Sequence, residues 1–163
     1  MIVALLAVQA VAVRGTWGAV AADSVAVHPS HLGILVTGGQ AALADPRGRY
    51  DRGGADPESG IPNCSRIEGP TKGVQPPDDP TFPRVQLDLR DPIRGTYLLE
   101  VRAERRFLLV RAVGELPGGT CGLGDHLSAR SGKTYRWRVW WGADQDSGRC
   151  RLRLERVGGR KAP

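Results

Sequence analysis

The chain has little lysine, little cysteine and no catalytic signature. Only Lys72, Lys133 and Lys161 are lysine; the other 20 of its 23 basic residues are arginine. Arginine suits bidentate contact with phosphate or carboxylate. Here the arginines are spread along the whole chain, as GC-rich codon usage would also produce, so a net charge of +6 is no argument for nucleic acid. No nucleic-acid partner is expected. No G-x-S-x-G, H-E-x-x-H or C-x-x-C is present. The glycines of GGTCGLGD (Gly118–Asp125) lack a following lysine and helix, which excludes a phosphate cradle of the P-loop type. Asp125, His126 and Ser128 are the residue types of a triad, but their adjacency prevents the required geometry. No EF-hand spacing links Asp45, Asp51, Asp56, Asp78 and Asp79, which read as turn formers. His28 and His31 flank Pro29, which disfavours the helix that would make them converge on a metal. No catalytic residue, metal or cofactor is expected. The enzyme alternative is a small secreted hydrolase using His28, His31 or His126 with loop carboxylates.

Long apolar runs are also missing. The longest, Ile2–Val13, contains a single polar residue, Gln9. As a helix it would reach about 18 Å, against about 30 Å for a hydrocarbon core. It has the length of a signal-peptide apolar region, and Ala19-Val20-Ala21 offers a cleavage site before Ala22. Against this, no basic residue follows Met1, and Arg14 and Trp17 lie on the approach to the cut. The expectation is a signal peptide over 1–21 and a mature chain without a transmembrane segment, secreted, periplasmic or at the cell surface.

What is abundant is turn chemistry, with Gly 22 and Pro 12. These punctuate short alternating runs. GILVT (Gly33–Thr37), RVQLDLR (Arg84–Arg90) and TYLLEVRA (Thr96–Ala103) read as strands, with Val85, Leu87 and Leu89 on one face and Tyr97, Leu99 and Val101 on another. FLLVRAVGE (Phe107–Glu115) is more continuously apolar, as expected of a strand covered on both sides. Leu116–Gly124 reads as a Gly-rich loop and Asp125–Gly132 as a polar connection. The densest stretch is KTYRWRVWW (Lys133–Trp141), followed after an Asp/Gly turn by CRLRLERV (Cys150–Val157). This predicts a hairpin with Tyr135, Trp137, Val139, Trp141, Leu152 and Leu154 inward. The domain expected over 22–157 is all-β, an antiparallel sandwich of immunoglobulin-like or jelly-roll-like type. It would carry a long irregular loop, 38–83, anchored by Tyr50, Ile61, Cys64 and Ile67, and a disordered tail, 158–163.

DPRGRYDRGGADPESGIPN (Asp45–Asn63), DDP (Asp78–Pro80) and VQLDLRDPIRGTYLLEV (Val85–Val101) form a recurrent bacterial pattern of turns and strands. On these motifs the chain resembles an exported β-sandwich module of uncharacterised surface proteins. Its second half is similar to domains of the pre-peptidase C-terminal type. The resemblance implies an accessory role without catalytic residues. It covers roughly Ile34–Val110 and departs at GGQAALA (Gly38–Ala44), where the pattern would run on directly.

Cys64, Cys121 and Cys150 allow one disulfide and leave one thiol. Cys121–Cys150 is preferred, closing a loop worth about 3–4 kcal/mol in the chain-entropy model. Arg136, Arg138, Arg151 and Arg153, with Trp140 among them, share the outward face of the hairpin, and Arg102, Arg106 or Arg111 would extend it. Like charges directly opposite destabilise a sheet, so anions should neighbour them: Glu100, Glu104, Glu155 or a ligand. The function expected is a non-catalytic module, structural or binding, with an envelope polymer or a protein as partner. The alternative is an anion- or glycan-binding module that uses this arginine face. The bland reading is a solvated outer face.

Overall fold

The computed structural model describes residues 30–53, 60–69 and 83–158. The expected leader, His28, Asp56, Asp78, Asp79 and the last five residues of the tail lie outside them.

The described residues form ten strands: β1 (His31–Thr37), β2 (Gly39–Ala44), β3 (Tyr50–Asp51), β4 (Cys64–Glu68), β5 (Arg84–Arg90), β6 (Gly95–Ala103), β7 (Phe107–Leu116), β8 (Gly119–Ser128), β9 (Thr134–Ala143) and β10 (Cys150–Val157). They make two antiparallel five-stranded sheets, ordered β4-β5-β1-β7-β8 and β10-β9-β6-β2-β3. No helix occurs among the described residues, so none there is long and apolar enough to cross a membrane.

Period-2 alternation puts one row of each strand between the sheets. Leu32, Ile34 and Val36 of β1, Val85, Leu87 and Leu89 of β5, and Leu108, Val110 and Ala112 of β7 meet Leu99 and Val101 of β6 and Trp137, Val139 and Trp141 of β9. Tyr97 is buried with them, and its hydroxyl donates to the Ile93 carbonyl at 2.8 Å across the β5–β6 corner. A bond of this kind, back to the backbone a few residues upstream, recurs in immunoglobulin-type sandwiches and satisfies the one polar atom of a buried ring.

Gly38 is the pivot between the sheets. Its φ of +98° is a conformation open chiefly to glycine. Its N–H donates to the Pro83 carbonyl at 2.8 Å, and its carbonyl accepts from Glu104 N and Arg105 N at 2.9 and 3.0 Å. A Cβ there would overlap the Phe107 carbonyl.

Five expectations are corrected. The supposed loop 38–83 contains β2, β3 and β4. GQAALA lacks the β-branched residues that signal a strand, yet β2 pairs with β6 over six residue pairs from Gly39↔Ala103 to Ala44↔Leu98. Leu116–Gly124 is no loop beyond a turn at Pro117 and Gly118, and the connection expected over Asp125–Gly132 starts only after Ser128: Gly119–Ser128 pairs along the length of β7. FLLVRAVGE is covered on one side only, with Phe107, Arg111, Val113 and Glu115 exposed. Of the four proposed anchors, Ile61 is buried and Cys64 half-buried, whereas Tyr50 and Ile67 are exposed. Asp45 does form a turn, accepting from Arg47 N and Arg49 N, both at 2.9 Å.

The sandwich has two lateral seams. At one, edge strands β8 and β10 lie side by side, joined by the Cys121–Cys150 disulfide (Cα–Cα 5.5 Å). At the other, β3 and β4 are joined by Arg66, which pairs with Asp51 at 3.2 Å and also donates to the Ala41 carbonyl.

Candidate functional site: the arginine face of the second sheet

The β9–β10 hairpin projects side chains outward from the second sheet. The turn Asp144–Arg149 sets its register: Asp144 Oδ1 accepts from Asp146 N and Ser147 N at 3.1 and 3.0 Å, and Asp144 N donates to the Arg149 carbonyl. These bonds hold the Asp144 carboxyl below its usual value. The register that follows places Arg138 opposite Glu155, Trp140 opposite Arg153 and Gly142 opposite Arg151. On the other flank β6 sets Glu100 against Arg136 and Leu98 against Arg138.

The arginines thus share one face, as expected, but no two stand directly opposite. Each has its own surroundings. Arg136 Nε donates to Glu100 at 3.0 Å. Arg151 reaches Asp144 at 3.2 Å. The Arg153 guanidinium lies 5.5 Å from the centre of the Trp140 ring, in cation–π contact. Trp140 extends over Gly142, where a Cβ would stand 3.1 Å from the ring edge. Its ring is therefore half-buried against the sheet and partly capped by an arginine. Arg138 is exposed and has no ion-pair partner among the described residues. Of the suggested extensions, Arg102 joins the face through β6. Arg106 falls in the β6–β7 turn, and Arg111 lies on the outer face of the other sheet. Glu104, also in that turn, is not among the face's acids.

Sequence reasoning missed the ion pair at the end of the β8–β10 seam. Arg156 forks onto Asp125, with Nε at 3.1 Å and Nη2 at 2.8 and 2.9 Å, and Trp137 Nε1 donates to the same carboxylate at 2.7 Å. Burial disfavours the charge on Asp125. The Trp137 and Arg156 bonds outweigh it and hold the carboxyl below its usual 3.8. Arg156 does continue the inward row Cys150, Leu152, Leu154, which was the available signal. Strand alternation turns Asp125 inward and His126 and Ser128 outward, so the three do not converge. His126 instead sits 6.1 Å from the Phe107 ring.

Cys121 and Cys150 are bonded as expected. Cys64 is free; its thiol donates to Asp51 at 3.5 Å and is pushed up to about 12, first by burial and then by the Asp51 charge. It is held neutral at physiological pH, which suppresses thiolate reactivity. His31 lies 3.5 Å from Asp88 on the outer face of the first sheet.

Comparison with family models, with curated proteins and with solved structures finds no match for this chain.

Proposed function

We propose that this chain is an exported, non-catalytic accessory module that binds an anionic polymer through the outer face of its second sheet. One observation carries the reading: among the described residues Arg102, Arg136, Arg138, Arg151 and Arg153 share that face against three acids, Glu100, Glu155 and Asp144, and Arg138 at its centre has no ion-pair partner. A flat sheet face with excess positive charge attracts anions over several ångströms, and arginine forks onto carboxylate, sulfate or phosphate oxygens. The disulfide suits an oxidising compartment, in line with export. The likeness to bacterial surface modules, drawn from the turn and strand motifs, points the same way.

The test is retention on heparin or an acidic envelope polymer. Wild type is retained and elutes with salt, as charge-driven binding requires. Arg138→Glu with Arg151→Glu abolishes retention and lowers the melting temperature by only a few degrees: both side chains are exposed, and the like charges set against Glu155 and Asp144 cost about 1 kcal/mol each at most. Equal retention of wild type and variant would remove the proposal.

A further inference from the structure

Below the arginine face, at the open end of the β8–β10 seam, lies a groove of about 650 Å³. It is formed by the end of β8, the start of β9 and the end of β10. That volume falls within the range of about 300–1,000 Å³ typical of small-molecule sites. Its walls combine three kinds of group. Lys133, Arg136 and Arg156 supply positive charge, Ser128 and Thr134 supply hydroxyls, and Tyr135 supplies an aromatic ring.

The charge in the groove is partly uncommitted. Arg156 is neutralised by Asp125. Arg136 is paired with Glu100, but their side chains are 56% and 31% exposed, and a pair that open to solvent is weak enough to exchange partners. Lys133 has no acidic partner among the described residues; its ammonium lies 5.4 Å from the centre of the Tyr135 ring. Tyr135 is itself fixed, its hydroxyl accepting from Arg130 N at 2.9 Å. A lysine held over a fixed ring, without an acidic partner among the described residues and lining the same groove as a displaceable arginine, forms an anion site with a preset position. Ser128 and Thr134, exposed at its rim, match the hydroxyls of a sugar ring.

We infer that this groove binds an acidic sugar unit, a uronic acid or a sulfated sugar, with its anionic group between Lys133 and Arg136. The site is separate from the proposed polymer-binding face. The two share Arg136 alone, and either stands if the other fails.

The full-length protein is titrated with D-glucuronate and with a sulfated chondroitin disaccharide. Glucose and inorganic sulfate serve as controls, and binding is followed by amide chemical shifts. Saturable binding of the acidic sugars at millimolar concentration is expected, with shifts centred on residues 126–136. Lys133→Met keeps the stem on Tyr135 and removes the charge, and should weaken binding about tenfold or more. Arg138→Glu, outside the groove, should leave it unchanged. The inference is overturned if neither acidic sugar saturates, if Lys133→Met binds like wild type, or if glucose or inorganic sulfate binds as tightly as the acidic sugars.

Discussion

The two seams of the sandwich are closed by different chemistry. Along β8 and β10 the closure is covalent at one end, through Cys121–Cys150, and ionic at the other, through Asp125–Arg156. Along β3 and β4 it is wholly polar, centred on Arg66 and Asp51. Strand length accounts for the contrast. β8 and β10 run for ten and eight residues, β3 for two and β4 for five. Long edges expose rows of unpaired backbone groups and are prone to pair with other chains, whereas short edges are already blunted. β8 is also rich in glycine and buries little besides Leu127, so packing alone holds it weakly. A staple stabilises where side chains cannot.

Replacing Cys121 and Cys150 by serine should have the largest effect, a loss of about 3–4 kcal/mol. Calorimetry should show a drop in melting temperature on the order of 10 °C. Hydrogen exchange should accelerate in β8 and β10 and stay unchanged in β3 and β4. Faster exchange at both seams would mean that they open together and that the contrast is not real.

Arg66→Met comes next. It leaves Asp51, 4% exposed, without its counter-ion. Removing one partner of a buried pair costs more than the pair contributes. We expect a loss of about 2–3 kcal/mol in chemical denaturation, insensitive to reductant. Wild type and variant should both lose stability when reduced, by the same amount, because both keep the Cys121–Cys150 bond at the other seam.

Gly114→Ala probes the packing behind the disulfide. A Cβ at Gly114 would overlap Trp141 Nε1 and stand 3.0 Å from Cys150 Sγ. Overpacking of this kind costs about 1–3 kcal/mol. A neutral result would show that the Trp141 ring can move aside.

The two buried tryptophans beside this seam provide a finer contrast. Trp137 Nε1 donates to Asp125, whereas Trp141 Nε1 has no hydrogen-bond partner among the described residues. Phenylalanine removes a charged hydrogen bond at position 137 and only an unpaired donor at 141. Trp137→Phe should therefore cost about 1 kcal/mol more than Trp141→Phe. Equal losses would assign the effect to ring volume alone.

The smallest effect concerns acid. The folded-state value of Asp125 is depressed, so its contribution is complete above the unfolded value of about 3.9 and is lost as pH falls through the folded value. Melting temperature should decline below about pH 4, and Asp125→Asn should flatten that decline. An unchanged decline would place the acid sensitivity elsewhere, with Asp45 the next carboxyl held low.

The hairpin was legible because its evidence is local. Tyr135, Trp137, Val139 and Trp141 alternate with Arg136, Arg138 and Trp140, and a period of two survives whatever the rest of the chain does. The disulfide was legible from cysteine count and loop length. β2, β3, β4 and β8 were not. GQAALA and GTCGLGDHLS have no strand pattern of their own, and pairing with β6 and β7 imposes the state. Of the candidate site, the membership of the face could be read and the partners could not. Arg138 lies across from Glu155 and Arg153 stacks on Trp140 because of how the Asp144 turn registers the hairpin.

By itself the sequence determined which side chains of each recognised strand go inside and which go out, because alternation is a property of neighbours along one chain. Only the tertiary structure decided which strand becomes an edge, which edges meet, and that Asp125, Trp137 and Arg156 converge at one of them. Those contacts join residues 12 and 31 positions apart, and they depend on how two sheets stack. No local pattern encodes that distance.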